Sequence, residues 1–321
     1  SRSTEEEAAT RSSRDLDAEN GTADSITIQL NAEGKPESEG DSEHWAYDYA
    51  TSFSLNLRQG TFTLQPSSES GAESALQTDL DIRKDAEFNS GTVGRRAYNE
   101  GTISDGTFQR EVYNYGTISN GTFQWEVTNE GTISGGIFQR RVYNYEIISD
   151  GTFQGNVRNY GTISGGTFEE AVGVYASSRT EAKIEGGTFE KDMTLANDDA
   201  PITIKDGLFD GEVVTKKCDS PLSISGGLFT KAVDVSNITN LPNLQITGGY
   251  FVNEPTMPEG SDTGFTTVSD QNGRTFQVPV NGGFSENNYK TLYVPHGMSE
   301  RQANPITVKT DTALTDCLAD G

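Results

Sequence analysis

Apolar residues recur at three fixed positions every fifteen residues along the middle of this chain, each flanked by polar neighbours. The first column reads Ile103, Ile118, Ile133, Ile148 and Ile163; the second Phe108, Phe123, Phe138, Phe153 and Phe168; the third Val112, Val127, Val142, Val157 and Val172. Out-in-out triplets such as Thr-Ile-Ser and Thr-Phe-Gln predict three very short strands per repeat, each with one inward residue. Asp105-Gly106 and Gly135-Gly136 stand between them, and such dipeptides tolerate the positive φ of a sharp corner. Three strands and three corners predict an all-β parallel solenoid of triangular section, for which the commoner right-handed sense is expected.

The phrase continues beyond Tyr175 at a longer spacing, with Ile184, Ile204 and Ile224 about twenty residues apart. The added residues, for example Asn197 to Pro201, are expected to protrude as a loop at one corner. Ten copies from Phe88 to Ile246 at a strand spacing of ~4.8 Å predict a rod about 45–50 Å long. A column of Asn99, Asn114, Asn129, Asn144 and Asn159 is expected at one corner, its amides bonded to one another along the axis. Outside the repeats, Ser25–Leu30 and the residues Phe53, Leu55, Leu57, Phe62 and Leu64 alternate at period two. They predict strands that cover an exposed solenoid end.

These patterns divide the chain into a disordered acidic leader (1–24), an N-terminal β cap (25–85), fifteen-residue coils (86–175) and twenty-residue coils (176–252). A C-terminal β cap or small β domain (253–321) follows, with strands expected at 265–268, 275–280, 290–294 and 306–308. The chain is read as a mature or trimmed part of a longer protein, because it ends without a closing element and has no signal-peptide pattern at Ser1.

Composition supports a thin rod over a bulky globule. Only 32% of the 321 residues are apolar and glycine reaches 35 copies, low for a packed domain but sufficient where each coil has little interior. The net charge of −24 argues against nucleic acid or membrane insertion as the chain's business. Cys218 and Cys317 are two cysteines far apart in sequence; an oxidising compartment permits them to pair without requiring it.

Candidate chemistry is sparse. His44 and His296 are isolated, no Gly-x-Ser-x-Gly elbow stands near a histidine, and no metal or cofactor is expected. The turn column Asp105, Asn120, Gly135, Asp150 and Gly165 varies too much for an ion in every coil. Asp192, Asp198, Asp199, Asp206 and Asp210 could mark a carbohydrate-active enzyme on a parallel β-helix, but their spacing is irregular. Ranks of Thr102, Thr117, Thr132 and Thr162 beside Ser104, Ser119, Ser134, Ser149 and Ser164 raise ice binding as a minor alternative; Ile147 interrupts the first rank.

The strongest recognition signal lies on the third face. One outward column reads Arg95, Arg110, Trp125 and Arg140, and the next ends on Arg141. Beyond the inward valines come Tyr98, Tyr113, Thr128, Tyr143 and Arg158, with Tyr115, Tyr145 and Tyr160 along the adjoining corner. Stacking is expected to bring Trp125 within cation–π range of both Arg110 and Arg140. Exposed aromatics among arginines are typical of binding hot spots.

The phrases GTISGGTF, GTISDGTF and SISGGLF resemble the Gly-Thr-rich repeats of large exported proteins of gut-associated bacteria, mostly Firmicutes. That resemblance covers residues 86–251 and implies a surface adhesin or scaffold displayed outside the cell, with no catalytic residues. The expectation is a non-enzymatic module recognising a host glycan or host protein through the Arg/Trp/Tyr face. A passive stalk is the main alternative.

Overall fold

A computed structural model of the chain describes residues 25–37, 47–49, 54–66, 75–177, 180–269 and 274–280. Within them each strand pairs in parallel with the equivalent strand of the next coil. Ile103, Ile118, Ile133, Ile148, Ile163, Ile184, Ile204, Ile224 and Ile246 form one continuous register. A parallel pair needs a long crossover, and here the remainder of the coil is that crossover. The Ile, Phe and Val columns are almost wholly buried, so the alternation read from sequence is the cross-section of the rod.

The Phe column is the clearest case. From Phe108 to Phe251 consecutive rings stack with centroids between 4.4 Å and 5.0 Å apart. The strand repeat sets that separation, so the backbone ladder and the ring stack reinforce each other. Before each Phe a glycine turns the chain with positive φ, as at Gly106 (122°) and Gly151 (126°), a region that side chains disfavour. Asp105 and Asp150 brace this corner by accepting the N–H of Gly106 and Gly151 at 2.8 Å. The variable Asp/Asn/Gly column is thereby a turn device.

The asparagines lie inside the rod rather than at a corner. Each third strand carries two inward residues, as in Val112–Asn114, and Asn99, Asn114, Asn129, Asn144 and Asn159 are completely buried. The amide nitrogen of each donates to the side-chain oxygen of the next: 2.6 Å for Asn99 to Asn114 and for Asn114 to Asn129, and 2.7 Å for the two links to Asn159. Ile82 precedes this column and Val174 follows it. A chain of buried amides therefore replaces an apolar column; mutual bonding meets the cost of burying it along the ladder, while the Asn99 oxygen at its start is buried without a partner among the described residues.

Two expected boundaries move. The segment taken as an N-terminal cap continues the stack: Ser25–Leu30 pairs in parallel with Ser54–Pro66, which pairs with Asp79–Ser90, which pairs with the first regular coils. Ile26, Phe62, Phe88 and Ile103 thus share one column. Burying their apolar face requires the same columns, and the irregular spacing is taken up between strands. Tyr47–Tyr49 adds an antiparallel strand beside Leu55–Leu57.

Among the described residues, the longer coils after Tyr175 take most of their added length into the stack, leaving Asp198 and Asp199 in a short exposed turn. Their third strand lengthens to Val172–Ala176, Met193–Asn197 and Val213–Cys218, and Ala176, Ala182, Ala200, Ile202, Cys218 and Leu222 are buried. These apolar residues turn inward, so the section widens. A hairpin of Phe265–Ser269 and Thr275–Pro279 covers the last coil, with Phe265 set edge-on to Phe251 at 5.9 Å. The leader, Phe53, His44, His296, Cys317 and the strands expected at 290–294 and 306–308 lie outside the described residues.

Candidate functional site

The corner between the Phe and Val columns carries the third-face arginines. In each coil three residues make this turn, as in Gln109-Arg110-Glu111 and Gln124-Trp125-Glu126. Their backbone is pinned from coil to coil: Gln124 N–H donates to the Phe108 carbonyl at 2.8 Å and Gln139 N–H to that of Phe123 at 2.9 Å. Equivalent side chains must therefore project in file. Arg95, Arg110, Trp125 and Arg140 form that file, all exposed, Trp125 at 41%.

The guanidinium of Arg110 lies over the Trp125 ring, 5.6 Å from its centroid. The second cation expected on that ring is absent: among the described residues only Arg110 covers it. Arg140 instead lines a separate hollow beyond the indole with Gln139, Gln154 and Gly155. Two shallow depressions thus flank Trp125. One, of about 540 Å³, is lined by Arg95, Arg110, Gln109 and Gln124 with Gln77; the other, of about 660 Å³, is lined by Arg140, Arg141, Gln139 and Gln154 together with Glu126 and Glu170.

Gly155 opens the second hollow by leaving the arginine file vacant. A Cβ there would fall 2.4 Å from the Arg140 carbonyl carbon, so this coil is drawn in against its neighbour.

Apart from the contact of Arg110 with Trp125, the polar side-chain groups of the file have no ion pair or hydrogen bond among the described residues. Among the described residues no carboxylate lies within 4.0 Å of the guanidinium of Arg95, Arg110 or Arg140, and the side-chain amides of Gln109, Gln124, Gln139 and Gln154 bond to nothing. Some cations elsewhere are matched, as in Arg83 with Glu100 at 3.2 Å and Lys205 with Glu185 at 2.8 Å, while Lys84, Lys191, Lys216 and Lys231, like the file, are in no ion pair among the described residues. The glutamines escaped the reading from sequence, although one residue type repeated in four successive coils was the available signal.

Arg141 and the tyrosines are engaged. Arg141 donates to the Tyr143 hydroxyl at 3.2 Å and lies 3.8 Å from Glu126; that hydroxyl and the neighbouring charges hold its pKa above the ordinary arginine value. Arg158 also lies over the Tyr143 ring at 5.7 Å. Tyr98 stacks on Tyr113 at 5.1 Å and Tyr145 on Tyr160 at 5.0 Å. Burial raises the Tyr145 phenol, which keeps it protonated at neutral pH. Tyr115 and Tyr145 occupy the far corner of the third face, outside both hollows. The tyrosine columns are interrupted in one coil, where Thr128 and Glu130 stand, and that coil carries Trp125.

Other candidates resolve into structural roles. Ser134, Ser149 and Ser164 donate their hydroxyls to carbonyls of the preceding coil at 3.2–3.4 Å, so the serine rank is spent on the backbone. Asp198 pairs with Lys217, Asp192 accepts the Glu212 N–H, Asp206 the Gly207 N–H and Asp210 the Thr230 hydroxyl. No cluster of three or more His, Cys, Asp or Glu suited to a metal occurs among the described residues. No described helix is long and apolar enough to cross a membrane. No protein-family model, curated protein or solved structure matches the chain.

Proposed function

We propose that this chain is a non-enzymatic binding module, displayed outside the cell, that recognises a host glycan or host protein through the corner file around Trp125. One observation carries the reading: exposed guanidinium and amide groups, unpaired within the protein, surround a half-exposed indole in two adjoining hollows. Free donors beside an aromatic face are what a ligand can use without first breaking protein contacts. Display outside the cell is supported by the likeness of the GTISGGTF repeats to exported bacterial proteins. A glycan array and a host-protein panel test the proposal: saturable binding that Trp125→Ala abolishes, with the melting curve unchanged, is expected. Binding unaffected by Trp125→Ala would remove this site. Release of reducing ends from a polysaccharide would replace the module with an enzyme.

A passive stalk is the second reading. It is favoured by the Tyr98–Tyr113 and Tyr145–Tyr160–Tyr175 stacks, which spend aromatic surface on one another. On that reading the arrays are empty.

A further inference from the structure

We infer that the ligand of this corner is a linear acidic oligosaccharide lying along the rod axis, one sugar ring on Trp125 and its anionic groups on Arg110 and Arg140; this rests on the binding reading above. Three observations converge. The chain carries a net charge of −24, yet among the described residues Arg95, Arg110 and Arg140 form no ion pair, even with Glu126 and Glu170 at the rim of the second hollow. Arg95 and Arg110 stand one coil apart, ~4.8 Å between backbones, so like charges are held together with no internal counter-ion. An anion entering the hollow removes that repulsion and gains charge-assisted, bidentate bonds that guanidinium geometry favours.

The second observation is duplication. The hollows on either side of Trp125 share one set of groups, an arginine with a pair of glutamines: Arg110 with Gln109 and Gln124, Arg140 with Gln139 and Gln154; the second adds Arg141 and, at its rim, Glu126 and Glu170. Arg110 and Arg140 are two coils apart, about 9.6 Å at the strand spacing. That separation suits a polymer charged on alternate sugars, whose uncharged ring between them presents its C–H face to the indole while the glutamine amides meet hydroxyls.

The third is the boundary. The same corner continues as Glu169-Glu170, Glu190-Lys191-Asp192 and Asp210-Gly211-Glu212. The glutamine column therefore gives way to Glu169, Glu190 and Asp210 after Gly155, and although Lys191 follows in the arginine file, these carboxylates oppose an acidic chain lying further along it. The footprint runs from Arg95 to Arg141, three coil spacings or about 14 Å. Nucleic acid, with a phosphate on every unit, demands more cations than this short file provides.

The test is calorimetric titration of the whole chain with four probes: a hyaluronan tetrasaccharide, a κ-carrageenan tetrasaccharide, neutral cellotetraose and hexathymidylate. The two acidic sugars separate carboxylate from sulfate as the anion. At least one is expected to bind saturably, tenfold or more weaker at 300 mM than at 50 mM NaCl. The double variant Arg110→Gln/Arg140→Gln and the single variant Trp125→Ala are each expected to weaken it tenfold or more, with circular-dichroism melts unchanged. Cellotetraose binding as tightly, indifferent to salt but lost in Trp125→Ala, would overturn the acidic ligand and leave the binding module standing. Tighter binding of hexathymidylate would overturn it in favour of nucleic acid. A salt-sensitive dimer in sedimentation, broken by the Arg double variant, would assign the cations to the acidic half of a second copy. Silence from both acidic probes at millimolar concentration also overturns the inference, and the separate array with Trp125→Ala then judges the binding reading alone.

Discussion

Replacing Asn129 by valine probes the least ordinary feature of the core, a file of amides where neighbouring coils place Ile82 and Val174. Asn129 donates to the Asn144 side-chain oxygen at 2.7 Å and accepts from Asn114 at 2.6 Å. Without it Asn114 still reaches the Gly116 and Thr132 carbonyls at 3.2 Å and 3.3 Å. The Asn144 oxygen, completely buried, loses its donor. One orphaned buried acceptor costs about 1–3 kcal/mol and each lost bond about 1 kcal/mol, so Asn129→Val should destabilise its coil by about 2–4 kcal/mol.

Asn159→Val, at the end of the ladder, orphans no side-chain acceptor, because Asn144 keeps the Glu146 and Thr162 carbonyls. Its cost should be about 1 kcal/mol. Replacing all five asparagines by valine removes donors and acceptors together, and should cost far less than five times the single interior change. A repeat array opens locally, so the suitable assay is native-state hydrogen exchange of the amides in 127–147, read by mass spectrometry. Equal effects of Asn129→Val and Asn159→Val, or an additive fivefold loss, would refute the picture of a cooperative ladder.

Gly121→Ala places a side chain at φ 123° and should cost about 1–3 kcal/mol, visible as a lowered melting temperature. Gly155→Ala, whose Cβ would meet the Arg140 backbone at 2.4–2.7 Å, should lower it as well even though φ there is not positive; an unchanged melt would show that the coil is not drawn in. Phe153→Ala empties one ring from the stack and should cost about 3–5 kcal/mol by urea denaturation. Burial raises the thiol pKa of Cys218, which disfavours the reactive thiolate. Its peptide should therefore stay unalkylated by iodoacetamide at pH 7.5 in the folded chain and react after denaturation.

The rod was legible because its core is periodic: Ile, Phe and Val recur at one residue's precision, and glycine marks each turn. The Asn file was visible as a hydrogen-bonded column but not as an interior one, since a polar residue one step from a corner reads as outward. The strands at Ser54–Pro66 and Asp79–Ser90 looked like a cap because Ile26, Phe62 and Phe88 follow one another at intervals of 36 and 26 residues, far from fifteen. Register, which depends on pairing across those intervals, has no local signature. Ala176, Ala182 and Ala200 hid the widening of the later coils, because alanine is uninformative about which way it faces. At the candidate site, the composition of the file was readable, whereas its division by Trp125 into two hollows and the freedom of its arginines depend on side-chain direction.

The most direct test uses Trp125 itself. The chain has two tryptophans, so Trp45→Phe leaves Trp125 as the sole indole reporter. Its emission, titrated with the hyaluronan and with the κ-carrageenan tetrasaccharide, should change saturably with at least one of them and return toward the free spectrum as salt is raised. An emission spectrum that neither acidic sugar alters, while a glycan array still records binding lost in no Trp125 variant, would contradict the assignment of recognition to this corner.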